Sequence, residues 1–314
     1  MKNLKSIRLF LFDLDGVLSV GKENPRYLGG RELVTRLKKT GKRVFVVTND
    51  STHLREELRV NLAKFGFPLG IDEILTSSYL TALYLKKRFG RASFFLVGER
   101  GLKGELKAAG HFEGERPDVV VVGYDRKLSY EKLNTAQRFL RNGAELVGSY
   151  GGAVFMSDRG PALSAGPIIK ALEYGSGKRA VMIGKPSPRM FKLALELAKE
   201  RAERTVMVGD QIETDLLGAK RAGVHTVLVL TGVETRESIR QSRMKPDLVA
   251  ENVDDVGQFL WHVKTWPAPS IGCISLKTAP SLFLAYRLNR SRRENVRGTR
   301  TRRRTTGRRF SFGA

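Results

Sequence analysis

Two hydrophobic patterns alternate along most of this chain. Short runs of β-branched and aromatic residues, typical of buried strands, are followed by segments in which apolar residues recur every three or four positions, as on one face of a helix. Residues 7–12 show the first pattern, and residues 30–40, which end before Gly41, show the second. Strands that alternate with helices in this way predict an α/β fold with a parallel sheet.

The alternation continues as far as residue 262. Further strands are predicted at 43–47, 74–76, 93–97, 119–122, 145–148, 181–183, 205–208, 225–230 and 247–250. Further helices are predicted at 54–65, 79–88, 101–109, 130–142, 167–174, 189–201, 215–222 and 253–262. A second α/β rhythm begins with the strand at 93–97, and the first kind of pattern resumes after Gly175.

Four polar clusters each follow a predicted strand. They are Asp13 with Asp15, Thr48 with Asn49, Lys185, and Asp210 with Asp215. If these strands are neighbours in one parallel sheet, their carboxyl ends bring the four clusters together at one edge. Ionised carboxylates at the end of a buried strand are costly unless a cation or a hydrogen-bond network compensates them. The pattern therefore predicts a cation-binding site at this edge.

The residue types in these clusters indicate a chemistry. Three carboxylates suit a hard cation that prefers oxygen ligands, namely Mg²⁺. A lysine beside them offsets negative charge and can contact a phosphoryl group, while a hydroxyl and an amide can hydrogen-bond to phosphoryl oxygens. One carboxylate can attack phosphorus while a second protonates the leaving oxygen.

The same residues, in this order, resemble the motifs of a known family. Asp13-Leu14-Asp15-Gly16, Thr48-Asn49, Lys185, and Gly209-Asp210 with Asp215 resemble the four ordered motifs of the haloacid dehalogenase (HAD) superfamily. The resemblance sharpens to the NagD / para-nitrophenyl phosphatase branch. Gly184-Lys185-Pro186 matches that branch's Gly-Lys-Pro, and residues 48–51 resemble its Thr-Asn-Asn-Ser/Thr. The resemblance covers residues 7–261.

This resemblance implies a Mg²⁺-dependent phosphatase with two domains. Residues 1–78 and 179–264 would form a Rossmann-like core with a parallel sheet, and residues 79–178 would form an inserted α/β cap. Asp13 would be the nucleophile that forms an aspartyl-phosphate. Asp15 would be the general acid/base, which protonates the leaving group and then activates water. Asp13, the main-chain carbonyl of Asp15, and Asp210 would bind Mg²⁺.

The resemblance also implies roles for the remaining motif residues. Thr48 and Asn49 would hold the phosphoryl oxygens. Lys185 would orient Asp13, contact the phosphoryl group and screen the charge between them. Asp215 would support the site indirectly, through Lys185 or a metal-bound water.

Two departures from the branch leave the substrate open. The branch usually has a second Asn where Asp50 stands, and it often has Thr-Asn-x-Asp in the cap where this chain has residues 149–152. A carboxylate so near the phosphate site would need to point away or pair with a cation. We therefore expect no more specific substrate than a small phosphorylated metabolite. Since members of the branch dimerise through the cap, the resemblance also implies a homodimer.

Several alternatives stay open at the level of sequence. Asp13 with Asp15 could cap a turn, and Thr48-Asn49 could form an Asx-type turn. Asp215 could simply begin a helix, where an acid suits the helix dipole. Another HAD-type hydrolysis is the nearest alternative function. Asp15 argues against dehalogenation, because a leaving halide needs no proton from a second acid.

Composition adds a basic tail to this picture. The formal net charge is +24, and residues 265–314 carry 12 Lys and Arg against one acidic residue. We predict that this tail is disordered, since it cannot bury enough apolar surface. Nucleic-acid binding by the tail is the alternative function from another class. The single cysteine favours a reducing, cytoplasmic location, and no membrane-spanning segment is expected.

Overall fold

A computed structural model describes residues 4–21, 25–157 and 160–261. The strands are β1 Leu9–Phe12, β2 Ser19–Val20, β3 Arg26–Tyr27, β4 Arg43–Thr48, β5 Ile74–Thr76, β6 Ser93–Val97, β7 Phe112–Glu113, β8 Val119–Val122, β9 Glu145–Gly148, β10 Val154–Ser157, β11 Gly160–Leu163, β12 Val181–Met182, β13 Thr205–Gly209, β14 His225–Val229 and β15 Leu248–Ala250. The α-helices are α1 Arg31–Lys39, α2 Arg55–Lys64, α3 Ser77–Phe89, α4 Arg100–Ala108, α5 Tyr130–Arg141, α6 Ala165–Ser176, α7 Pro188–Ala198, α8 Leu217–Arg221, α9 Arg236–Gln241 and α10 Gln258–Trp261.

The first sheet has six parallel strands in the order β15-β14-β13-β1-β4-β5. Its central strand β1 is an unbroken apolar run, and all four of its residues are buried. Such a run is typical of a parallel strand that is covered on both faces. Because the strands are parallel, the residues that follow β1, β4 and β13 lie at the same edge of the sheet.

The second sheet is built from the middle of the chain. Its five parallel strands have the order β12-β9-β8-β6-β7. Its central strand β8 consists of four buried valines. The alternating α/β pattern that we interpreted as a separate rhythm therefore corresponds to a separate sheet, and the α/β class with parallel sheets is confirmed.

One strand assignment is wrong. We placed 181–183 in the core that resumes at residue 179, but β12 pairs with β9 in the second sheet, with Val181 opposite Val147. The pairing extends past β12, since the N–H of Ile183 donates to the carbonyl of Gly148 at 3.0 Å. Lys185 therefore follows a strand of the second sheet, and does not lie at the end of a strand of the first.

Other differences concern short or irregular elements. Three short elements are absent from the prediction, because they are too short to show a hydrophobic period. They are the two-stranded sheets β2-β3 and β10-β11 and the helix α9. The helix predicted at 215–222 begins instead as a π-helical turn, Ile212–Leu216, that continues into α8. The predicted basic tail, with its disorder and its nucleic-acid alternative, lies outside the described residues.

The apolar core connects the two sheets. Alternate residues of β1 point to opposite faces, so that Phe10 and Phe12 join one buried cluster and Leu9 and Leu11 join another. The second cluster also contains Val119 and Val121 of β8. Within the described residues, no helix is both long and apolar enough to cross a membrane.

Candidate active site

Asp13 stands where β1 ends, at the centre of the six-stranded sheet. Its N–H donates to the carbonyl of Val208 at 2.9 Å, so the strand pairing continues for one residue past β1. Its Oδ1 accepts from the N–H of Leu14 at 2.8 Å. The chain then turns at Gly16, whose φ is 86°, and a Cβ there would lie 2.5 Å from Oδ2 of Asp210. Glycine therefore lets the end of β1 approach the end of β13.

Lys185 lies between two carboxylates. Its Nζ is 2.6 Å from Oδ1 of Asp13 and 2.7 Å from Oδ1 of Asp215. The side chains of Lys185, Asp13 and Asp215 are 3%, 8% and 1% exposed, so this is a buried ionic cluster. Asp215 contacts the lysine directly, which is one of the two roles that the motif resemblance implies for it.

Asp210 is the third carboxylate of the cluster. It follows β13, and its Oδ2 accepts from the N–H of Val233 at 3.0 Å. Its Oδ1 is buried and has no hydrogen-bond partner among the described residues. A Cβ at Gly232 would lie 1.9 Å from Oδ2 of Asp210, so a larger residue there would displace the carboxylate. Carboxylate oxygens of Asp13, Asp210 and Asp215 all lie within 4.8 Å of one another.

The cluster carries more negative than positive charge. Burial, and then the charge of Asp215, raises the pKa of Asp13 to about 7, although Lys185 opposes this. Burial and the two neighbouring carboxylates raise the pKa of Asp210 well above its ordinary value. Burial alone would lower the pKa of Lys185, but the charges of Asp13 and Asp215 outweigh it and raise that pKa. A further cation would relieve this excess.

The donor set fits a hard divalent cation. Asp215 is already engaged, because its Oδ1 contacts Lys185 and its Oδ2 accepts from the N–H groups of Asp210 at 3.2 Å and Gln211 at 3.1 Å. Asp13 and Asp210 remain, and they are the two carboxylates that the motifs assign to metal binding. The partnerless Oδ1 of Asp210 supports this assignment, since a buried carboxylate oxygen without a donor is costly unless a metal binds it.

Thr48 is the last residue of β4, and Asn49 follows it at the same edge. Oγ1 of Thr48 is buried and accepts from the N–H of Asp50 at 3.1 Å, which leaves its hydroxyl proton for another acceptor. The Asn49 side chain contacts the main chain of Lys185. Its Nδ2 donates to the carbonyl of Lys185 at 3.0 Å, and its Oδ1 accepts from the N–H of Lys185 at 2.9 Å.

Asp50, the first departure from the branch, is paired. Its Oδ1 accepts from the N–H and the hydroxyl of Thr52 at 2.7 and 2.8 Å. Its Oδ2 lies 2.7 Å from Nδ1 of His53, and this hydrogen bond raises the pKa of the imidazole. Of the two expectations for this carboxylate, to point away or to pair with a cation, the second applies when His53 is protonated. The i, i+3 spacing of Asp50 and His53 was the available signal.

Comparison with known proteins places the chain in a family. Residues 10–111 match the family described as haloacid dehalogenase-like hydrolase, and residues 182–256 match the one described as HAD-hydrolase-like. The 5′-nucleotidase YutF of Bacillus subtilis (strain 168) is 32% identical over 244 residues, which are 77% of this chain and 94% of that protein. This chain is a HAD-family hydrolase.

Further relatives identify the branch. Chronophin of Mus musculus is 35% identical over 266 residues, which cover 78% of this chain and 90% of that protein. The structure of p-nitrophenyl phosphatase from Archaeoglobus fulgidus superposes with a TM-score of 0.77 and 35% identity, and covers 81% of this chain and 99% of that one. The chain is therefore a HAD phosphatase of the NagD / para-nitrophenyl phosphatase branch, and it hydrolyses phosphomonoesters.

A cleft of this HAD phosphatase opens beside Asp15. Asp15 is half-buried and lines the cleft together with Asp50 and His53 on one side. Leu58 and Phe65 add apolar surface. The second carboxylate of the first motif thus faces a space with both ionic and apolar walls, while Asp13 is enclosed.

The second departure, residues 149–152, adjoins the lysine. The carbonyl of Ser149 accepts from the N–H of Gly184 at 2.7 Å, one residue before Lys185. Tyr150 is buried, and its hydroxyl accepts from Oγ of Ser164 at 2.9 Å. Burial raises the pKa of that phenol to about 12, so the ring stays neutral. The segment therefore supports the lysine loop with neutral groups.

Proposed function

We propose that this HAD phosphatase hydrolyses a small phosphomonoester with Mg²⁺, through an aspartyl-phosphate on Asp13. The supporting observation is the buried ionic cluster at the carboxyl edge of the six-stranded sheet. There Lys185 holds Asp13 at 2.6 Å, and a carboxylate oxygen of Asp13 lies within 4.8 Å of one from Asp210, whose Oδ1 has no hydrogen-bond partner among the described residues. A carboxylate held in place by a lysine can serve as a nucleophile toward phosphorus.

The protein's groups divide the reaction into two displacements. In the first, a carboxylate oxygen of Asp13 bonds to phosphorus, the bond to the leaving oxygen breaks, and Asp15 gives that oxygen its proton. In the second, Asp15 takes a proton from water as the water oxygen attacks phosphorus. The aspartyl–phosphate bond breaks, and Asp13 is regenerated together with free phosphate.

The remaining groups manage charge and orientation. Lys185 neutralises part of the repulsion between Asp13 and the dianionic phosphoryl group, and the hydroxyl of Thr48 donates to a phosphoryl oxygen. Asp13, Asp210 and the main-chain carbonyl of Asp15 would hold Mg²⁺. When bound, the ion supplies positive charge to the phosphoryl oxygens.

The proposal extends to the substrate class and the assembly. Relatives of this chain are named as a 5′-nucleotidase, an acid sugar phosphatase and a p-nitrophenyl phosphatase, which is why we keep a small phosphorylated metabolite as substrate. We propose the second sheet as the cap that covers the leaving group, with domain limits near residue 79 and just after β12, whose residues Val181 and Met182 pair with β9. Association as a homodimer through this cap and a cytoplasmic location stay predictions.

The decisive test replaces the nucleophile. In Asp13→Asn the amide cannot attack phosphorus, so we expect the turnover of para-nitrophenyl phosphate with Mg²⁺ to fall by about 10³-fold or more. Asp72→Asn, at an exposed aspartate, is the matched control and keeps wild-type turnover. Intact-mass measurement after an acid quench should show a phosphoryl adduct on the wild type and on Asp72→Asn, but none on Asp13→Asn. Wild-type turnover by Asp13→Asn would contradict the assignment of the nucleophile.

A further inference from the structure

The side chain of Asn49 forms two hydrogen bonds with the main chain of Lys185. Its amide donates to the carbonyl of Lys185 at 3.0 Å and accepts from the N–H of the same residue at 2.9 Å. Both ends of one amide therefore bind both polar groups of one residue's backbone. This arrangement engages one N–H and the carbonyl oxygen of the Asn49 amide, so only the second N–H of its nitrogen is left for another acceptor.

These two hydrogen bonds connect the two sheets. Asn49 directly follows β4 of the six-stranded sheet, whereas Lys185 follows β12 of the five-stranded sheet. The partners of the lysine ammonium, Asp13 and Asp215, both lie at the edge of the six-stranded sheet. The contact between Asn49 and the Lys185 backbone therefore joins the loop after β12, which carries the lysine, to the six-stranded sheet, whose edge carries Asp13 and Asp215.

The surroundings leave little freedom for this contact. A Cβ at Gly184 would lie 2.6 Å from Oδ1 of Asn49 and 2.6 Å from the carbonyl of Ser149. The Gly184 N–H is itself held by that carbonyl at 2.7 Å. A glycine before Lys185 is thus what allows the backbone to approach the amide so closely.

From this geometry we infer that Asn49 is a positioning residue, which sets the place of the Lys185 ammonium between Asp13 and Asp215 and does not bind the phosphoryl group through its side chain. Its consequence for catalysis rests on the proposed function. A small displacement of Lys185 should lower the rate of the chemical step more than it weakens substrate binding, since reacting groups must be held within narrow limits.

The amide is the chemical requirement, because the contact needs a donor and an acceptor. Asn49→Ala removes both bonds. Asn49→Asp keeps an acceptor for the N–H of Lys185 but turns a second carboxylate oxygen toward its carbonyl, where no donor remains. Asn134→Ala, at an exposed residue of α5, is the matched control. Thermal unfolding of each variant verifies that it is folded at the assay temperature.

The test separates positioning from ligand binding. We measure kcat and KM for para-nitrophenyl phosphate with Mg²⁺, and the inhibition constant of inorganic phosphate. For both Asn49 variants we expect kcat to fall about 10- to 100-fold, with KM and the inhibition constant within about twofold of wild type. When Lys185 is already alanine, adding Asn49→Ala should lower kcat by less than about twofold further, because the two residues act as a unit.

The opposite result overturns the inference. If KM and the inhibition constant rise about tenfold while kcat holds, the side chain binds the phosphoryl group. Full additivity with Lys185→Ala would equally exclude action through the lysine.

A readout that needs no turnover distinguishes this failure from failure of the proposed function. The ammonium of Lys185 is buried in an ion pair, so its ¹H–¹⁵N signal should be protected from solvent exchange and absent from Lys185→Ala. In Asn49→Ala the inference predicts a shifted, faster-exchanging signal, even if the wild type has no phosphatase activity. An unchanged signal overturns the inference, whereas an inactive wild type overturns only the proposed function.

Discussion

Two ionic groups near the same sheet edge differ in how they balance charge. The buried cluster of Asp13, Asp210, Asp215 and Lys185 holds three carboxylates against one ammonium. The pair of Asp50 and His53 sets one carboxylate against one imidazole, and the His53 side chain is 25% exposed. The cluster has more carboxylates than ammonium groups to balance them, whereas the pair is balanced when the imidazole is protonated.

This difference indicates which group belongs to the chemistry. A buried excess of negative charge is costly and persists where a bound cation and a reaction use it. The pair instead organises the loop after β4, because the same carboxylate also accepts from the N–H and hydroxyl of Thr52. The carboxylate of Asp50 is thus paired within its own loop and adds no unpaired charge to the buried cluster.

Removal of the single ammonium should have the largest effect. Lys185→Ala leaves the carboxylates of Asp13 and Asp215 buried without their counter-charge. We expect turnover to fall by about 10³-fold or more, and the free energy of unfolding to fall by about 3–5 kcal/mol. Denaturant titration and a phosphatase assay measure the two losses. Lys192→Ala, on the exposed face of α7, is the control and should change neither. If Lys185→Ala unfolds with the same free energy as the wild type, the ammonium is not needed to balance the buried carboxylates.

The cation requirement gives the next effect in size. If Mg²⁺ binds the cluster, an ion concentration of about 100 times Kd should raise the wild-type Tm by about 5–10 °C relative to protein in EDTA. In Asp210→Asn the side-chain oxygen can still accept from Val233, but the charged ligand is gone. The Mg²⁺-dependent shift should then largely disappear, as calorimetry can measure. Asp72→Asn should keep the full shift, and an equal shift in Asp210→Asn would remove Asp210 from the metal site.

The balanced pair should give the smallest effect, and a pH-dependent one. The hydrogen bond to Asp50 raises the pKa of His53 above 6.5, despite partial burial. Its stabilising contribution is therefore complete below pH 6.5 and is lost as pH rises through the raised folded-state value. Compared with His53→Gln, the wild type should gain about 1–3 °C in Tm at pH 6 and less at pH 8.5.

The pH dependence has its own control. In Asp50→Asn the carboxylate that raises the pKa of His53 is absent, so a further His53→Gln change should have nearly the same effect at both pH values. Glu57 and Arg100 also act on the imidazole, in opposite directions, and stay in place in every variant. If the Tm difference between the wild type and His53→Gln instead grows as the pH rises, His53 and Asp50 do not form a charged pair.

Much of the fold and of the site could be predicted from local pattern. Runs such as 9–12 and 119–122 are continuous and apolar, and each is a central parallel strand. The carboxylates after β1 and β13 also meet as expected, because both strands belong to one parallel sheet. The assignment failed for 181–183, which has the same apolar character but pairs with β9.

The sequence by itself determined which residue types stand at the strand ends, and with them the motif order that indicates a phosphatase. Only the tertiary structure decided that Lys185 comes from the second sheet, that Asn49 holds its backbone, and that Asp50 turns to His53. The physical reason is that periodicity reports how one segment is buried, whereas strand partners and side-chain hydrogen bonds depend on segments far away in the chain. Asn49 and Lys185 are 136 residues apart and meet only in the folded protein.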